Sequence, residues 1–211
     1  MKDLLLYTAD ADAMAFMRAV LGRPQALHIR PISFDIERHP QRDAGMVQSG
    51  AELARMRKGQ YHKALLMWDH HGSGRDHKQT PVQVEMDIQA KLDSYTWKDN
   101  SAVTVLVPEL EEWLWFCEAS IATHCEISLV QLAHWLDERA TKLGKAVPTL
   151  KREHPKELFE HVMRDRLKQT ISPRDFEAIG GQAGIRGLLE CSSFSAIVQR
   201  LRSWFPVTRE S

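Results

Sequence analysis

The chain has 211 residues, 43% hydrophobic and 27% charged, which suits one folded domain, or one domain with a helical appendage, and excludes a disordered or fibrous polymer. Lys plus Arg and Asp plus Glu each number 28, so the formal net charge is zero and no global basic signal marks a nucleic-acid binder, although a local patch can hide inside a zero sum. The three cysteines, Cys117, Cys125 and Cys191, form no Cys-x-x-Cys pair, and the opening apolar run Leu4–Tyr7 is too short for a secretory core or a membrane span. A cytoplasmic location, reduced thiols and no membrane partner are expected.

Leu4 to Tyr7 predicts a first buried strand, and Asp10 and Asp12 then offer N-capping acids for a helix over Ala13–Leu21 that Gly22-Arg23-Pro24 stops. Ala26 to Ile36 alternates through Leu27, Ile29, Ile32, Phe34 and Ile36, a strand interrupted by Pro31 or an edge strand. Residues 38 to 46 are polar and predict a loop, and Met46 to Lys58 a weakly amphipathic helix. Lys63 to Trp68 reads as a second buried strand, ending in Asp69-His70-His71 and the polar loop Gly72-Ser73-Gly74-Arg75-Asp76-His77. Pro81 to Tyr95 predicts a helix. The run Ala102–Val107 is a further strand, and it ends in Pro108-Glu109-Leu110-Glu111-Glu112-Trp113.

Strand and helix alternating this way predict an α/β fold with a mainly parallel sheet flanked by helices. Beyond residue 108 the pattern turns helical: Leu110–Ser120, Ser128–Leu143, Lys156–Leu167, a start at Ser172-Pro173, and Phe194–Phe205. The expected division is an α/β core over 1–108 and a mostly helical part over 109–211, packed together as one compact unit.

Acids at the C-terminal tips of parallel strands stand where open α/β sheets place ligands, and converging carboxylates and imidazoles can hold a divalent metal. The residues themselves leave two readings open at each position. Asp69 is a metal ligand or bonds backbone amides of the next loop. Glu111 is a second ligand, while Glu109 assists it or, the stronger reading for it and Glu112, caps a helix start. Asp10 and Asp12 serve as catalytic acids or as helix-start acids. His71 and His77 join the metal or are solvated, and His70 alternates away from His71. Trp113 and Trp115 pack, and the cysteines are buried thiols. Gly72-Ser73-Gly74 lacks the GxxxxGK[ST] spacing of a phosphate loop, and His124 and His134 show no zinc spacing. A nucleotide-binding module therefore lacks its fingerprint.

The order of these segments resembles a family of Toprim-fold proteins of unknown function from bacterial defence and mobile loci, related to the overcoming-lysogenization-defect nucleases. Asp69-His70-His71 stands at that family's Asp-x-Asp place, and Glu109-Leu110-Glu111-Glu112-Trp113-Leu114 matches its Glu-x-Glu-x-Trp start. Pro155-Lys156 and Cys191-Ser192-Ser193-Phe194 match its C-terminal signatures, so the resemblance spans nearly the whole chain. It implies a Toprim-like Rossmannoid core and a magnesium- or manganese-dependent nuclease or phosphodiester-processing component of antiviral defence. Asp10, Asp69 and Glu111 would be catalytic, with Asp69, His71, Glu111 and Asp12 around the metal. Nucleic acid and a protein encoded in the same operon are the implied partners. Two departures stand out. Thr8-Ala9 occupies the place of the early Glu-Gly, with Asp10 as the available substitute, and His71 replaces the second middle acid. Imidazole shifts metal preference toward manganese, zinc or iron. The alternative implied by the departures is a catalytically degenerate scaffold or sensor subunit.

Overall fold

The structure, a computed structural model, describes residues 1–207. Four strands, β1 (Lys2–Thr8), β2 (Phe34–Arg38), β3 (Tyr61–Asp69) and β4 (Ser101–Leu106), form one all-parallel sheet in the order β2-β1-β3-β4. Between them run α1 (Ala11–Leu21), the short α2 (Pro24–Leu27), α3 (Arg42–Met56) and α4 (Pro81–Leu92). Strand periodicity divides the apolar side chains between two faces. Leu4, Leu6, Leu65, Met67, Ala102 and Leu106 pack with α1 and the C-terminal helices, whereas Leu5, Tyr7, Ala64, Leu66, Trp68 and Val105 pack with α3 and α4.

After β4 come a 3-10 turn (Leu110–Phe116), α5 (Glu118–His124), α6 (Leu129–Leu143), α7 (Val147–Glu153), α8 (Pro155–Glu160), α9 (Pro173–Gln182), α10 (Ile185–Leu188) and α11 (Ser192–Trp204). Their starts are written locally. Ser128 accepts from Gln131 N–H, and Ser172 with Asp175 forms a capping box behind Pro173. This half is joined to the sheet by one hydrophobic cluster that runs from Leu4 to Phe205. Trp113 is its hub: its ring lies 5.6 Å from Phe16 of α1 and 5.1 Å from Phe194 of α11, and its indole N–H donates to Ser193 Oγ at 2.8 Å. Helix α9 lies against α1, where a Cβ on Gly180 would stand 3.1 Å from the Phe16 carbonyl oxygen. Among the described residues, no helix is long and apolar enough to cross a membrane.

Four expected elements differ. The interrupted strand over 26–36 begins only at Phe34, because Pro24 starts α2 and Ile29–Ser33 form an extended connection. The helix expected from Met46 begins at Arg42, which takes Asp43 out of the expected loop. The single helix expected over 110–120 is a 3-10 turn and α5, separated at Cys117 (φ −136°). The helix ending at Leu167 is α8 followed by a wider π turn over His161–Arg166.

Candidate metal centre

The chain passes from β1 to β2 on one side and from β2 back over β1 to β3 on the other, so the crevice that open α/β sheets use for ligands lies at the C-terminal ends of β1 and β3. Asp69 is the last residue of β3, paired in register with Leu106 of β4. The chain leaves β4 through a cis Val107–Pro108 bond and delivers Glu109 and Glu111 to the same rim. One carboxylate oxygen from each of Asp69, Glu109 and Glu111 lies within 4.8 Å of the others.

Backbone amides hold these side chains in place. Asp69 Oδ1 accepts from Leu110 N–H at 3.0 Å, tying the β3 tip to the turn that carries Glu111. The Asp69 N–H donates to Asp43 Oδ1 at 3.1 Å, tying the same tip to the first turn of α3. That turn depends on the buried His39 ring, which accepts from Gln41 N–H on Nδ1 at 3.0 Å and so carries its proton on Nε2, 3.0 Å from Ser49 Oγ. A Cβ on Gly45 would meet that ring at 2.2 Å, so only glycine fits there. Asp10 caps α1 by accepting from Ala13 N–H at 2.8 Å, and Arg42 Nη2 stands 3.9 Å from its other oxygen.

The electrostatics are those of crowded, poorly hydrated acids. Burial, and then the charges of Glu111, Asp43 and Asp10, push the Asp69 carboxyl well above the usual carboxylate range. Glu111, 7% exposed, is pushed up to about 7 by burial and by Glu109, against the pull of Lys156. Burial also raises Glu109 and Asp43. Lys156 loses hydration too, yet Glu111, Glu109 and Asp69 together outweigh that loss and hold its ammonium above the ordinary lysine value. One ammonium thus faces an excess of carboxylates, and a divalent cation would balance the remainder.

The expected site residues separate into two groups. Asp69 and Glu111 come together, and Asp10 stands close enough for its charge to act on both. Asp12 belongs to a neighbouring environment shaped by burial, Asp10, Lys156, Arg42 and Asp175, which raises it to about 6, and it lies outside the three-carboxylate group. His71 also lies outside: its ring is 75% exposed and turns to Asp76 rather than Asp69. Of the metal set expected from Asp69, His71, Glu111 and Asp12, the structure gathers Asp69 and Glu111 and leaves His71 and Asp12 outside the three-carboxylate group. Glu109 takes their place. It stands at the N-cap position of the turn but makes no side-chain hydrogen bond to it. Asp43 was hidden by its expected place in a loop. Lys156, known in the sequence only as part of the Pro155-Lys156 signature, carried no charge pattern that would place it 45 residues away in the same cluster.

Three carboxylate oxygens are a hard donor set, suited to magnesium, manganese or calcium rather than zinc. An octahedral magnesium places neighbouring oxygens about 3 Å apart and opposite ones about 4.2 Å apart, so closing a spacing of up to 4.8 Å takes only small side-chain movements. The fold and the site define an α/β protein with a Rossmann-like parallel sheet, a helical C-terminal part and an acidic cluster that can hold a metal ion. Comparison of the chain with protein-family models, curated proteins and solved structures finds no match.

Proposed function

We propose that this protein is a Toprim-like, divalent-metal-dependent nuclease or phosphodiester-processing component of a bacterial anti-phage system, using Asp69, Glu109 and Glu111 to hold magnesium or manganese. The observation that carries this reading is the convergence of the three carboxylates at the C-terminal ends of β3 and β4, beside the switch point between β1 and β3. A metal bound there would polarise a phosphate oxygen and lower the pKa of its water. Glu111, raised to about 7, has the affinity of a group that can move a proton near neutral pH. Lys156 and the exposed guanidinium of Arg42 supply cationic contacts for a phosphate at the rim.

Asp69→Ala tests the reading. It removes a ligand and should abolish manganese-dependent cleavage of DNA or RNA and weaken Mn²⁺ binding, read by electron paramagnetic resonance, with circular dichroism unchanged. The zero net charge predicts weak nucleic-acid affinity for the isolated chain, so cleavage is measured with and without the products of neighbouring genes.

The rival reading, a degenerate scaffold or sensor subunit, is favoured by one observation: Lys156 already provides a counter-charge to the cluster. A wild-type protein inert with magnesium, manganese, zinc and cobalt, on single- and double-stranded substrates and with its neighbours present, would establish the scaffold in place of the enzyme.

A further inference from the structure

The loop that follows β3 is built around one carboxylate. Gly72 (φ +81°) and Gly74 (φ +73°) adopt left-handed backbone conformations that turn the chain back on itself. Ser73, buried beneath the loop, accepts from Arg75 N–H at 3.2 Å, and the Ser73 N–H donates to His70 O at 3.2 Å. His70 is tied off by its own contact, Nε2 to Gln79 O at 3.1 Å. The closing contact is made by Asp76, whose Oδ2 accepts from Gly72 N–H at 3.3 Å.

Two imidazoles flank that same oxygen. His71 Nδ1 and His77 Nε2 each lie 3.8 Å from Asp76 Oδ2, while the rings are 75% and 90% exposed. We propose that His71, Asp76 and His77 form a second metal site, distinct from the carboxylate centre, that takes a borderline transition-metal ion, zinc being the leading case. Two imidazole nitrogens and one carboxylate oxygen are a donor set zinc accepts, with water completing a tetrahedron. Zinc bonds of 2.0–2.2 Å place neighbouring tetrahedral donors about 3.3 Å apart, so each nitrogen stands about half an ångström outside its bound position relative to the carboxylate. These three ligand atoms are less closely gathered than those of the carboxylate centre, and the 90% exposed His77 ring is free to turn toward Asp76. The Gly72 amide aims the carboxylate, so the anionic ligand is preorganised while the exposed imidazoles are adjustable.

The two sites differ in chemistry, one all-oxygen and hard, the other nitrogen-rich and softer. They are also linked. The His71 N–H donates to the Pro108 carbonyl at 3.4 Å, on the residue directly before Glu109, so an ion at His71 would brace the peptide that delivers Glu109 to the first site.

The test uses the full chain without a polyhistidine tag. Zinc affinity is measured by competition with a chromophoric chelator in the Asp69→Asn background, where the carboxylate centre is weakened. Adding His71→Ala and His77→Ala should lower zinc affinity at least ~100-fold, and Asp76→Asn should lower it ~10-fold or more, because ligands are removed or neutralised. X-ray absorption at the bound zinc should show two imidazoles. With Asp69 intact, the double histidine variant should retain Mn²⁺ binding, so a failure of the zinc site is distinguishable from a failure of the carboxylate centre. Zinc binding no tighter than millimolar, an affinity unmoved by the double variant, or a zinc spectrum without imidazole overturns the proposal. Both rings are exposed, so the two histidine variants leave the fold intact, and circular dichroism checks the Asp76→Asn and Asp69→Asn chains.

Discussion

Glu111 illustrates what a single residue contributes in opposite directions. Its carboxyl is pushed up to about 7 in the fold, above an ordinary value of 4.5, so the unfolded chain gives up its proton first as pH rises. Stability therefore falls between about pH 4.5 and 7, by up to roughly 3 kcal/mol for this group alone. Glu111→Gln should raise the Tm by ~5 °C or more at pH 8 and change it little at pH 4, read by differential scanning calorimetry, while weakening Mn²⁺ binding. Asp175 behaves in the reverse sense. Burial opposes its ionisation, but the His124 contact at 2.8 Å and the bonds from Ser172 outweigh it and hold the carboxyl below its ordinary value. Its contribution is present above the unfolded value near 3.8 and is lost as pH falls through the folded one. Asp175→Ala should cost about 1–2 kcal/mol at pH 7 in urea unfolding and progressively less below pH 4.

At the scale of elements, close approaches decide where the site residues stand. The first turn of α3 carries Asp43 to the β3 tip only because Gly45 leaves room for the His39 ring. Gly45→Ala forces ring and helix apart and should cost about 1–3 kcal/mol while also weakening metal binding, measured by urea unfolding and Mn²⁺ titration. Gly187 plays the comparable part for α10, where a Cβ would lie 2.6 Å from the Phe116 carbonyl oxygen at the end of the 3-10 turn. Gly187→Ala should destabilise by a similar amount, and it reaches the centre only through the turn that carries Glu111. The contrast between the two variants in metal affinity separates positioning of the site from stability of the fold.

For the molecule as a whole, one face of the sheet is covered by α1, α2 with the connection after it, and the C-terminal helices. Removing residues 109–211 would expose Leu65, Met67, Ala102 and Leu106 and take away Glu109, Glu111 and Lys156 together. Residues 1–108 expressed alone should accordingly lack a cooperative thermal transition and bind Mn²⁺ no better than an unstructured acidic peptide. Truncating the hub, Trp113→Ala, should cost about 3–5 kcal/mol and erase much of the near-ultraviolet dichroism, because Phe16 and Phe194 lose their shared partner.

The sequence by itself determined the fold class and the three strands that carry the centre. Buried parallel strands are continuous apolar runs, and Leu4–Tyr7, Lys63–Trp68 and Ala102–Val107 are unmistakable in that respect. Asp69 and Glu111 were legible because each follows such a run, and parallel strands bring their C-terminal ends to one rim. The short strand β2 escaped its bounds because it is only half-buried and Pro24 and Pro31 obscure its period. Only tertiary structure decided the membership of the centre. Glu109 reads as a helix-start acid in the sequence, and only the fold brings its carboxylate beside Asp69 and Glu111. His71 reads as sharing a metal with Asp69 until two left-handed glycines after it turn the loop back and set Asp76 beside its ring. Asp43 and Lys156 reach the cluster from distant parts of the chain, through a glycine-sized gap in one case and a helix start in the other. Periodicity records which way a side chain faces within its own element, whereas the meeting of charges across elements depends on turns and close contacts that leave no period in the sequence.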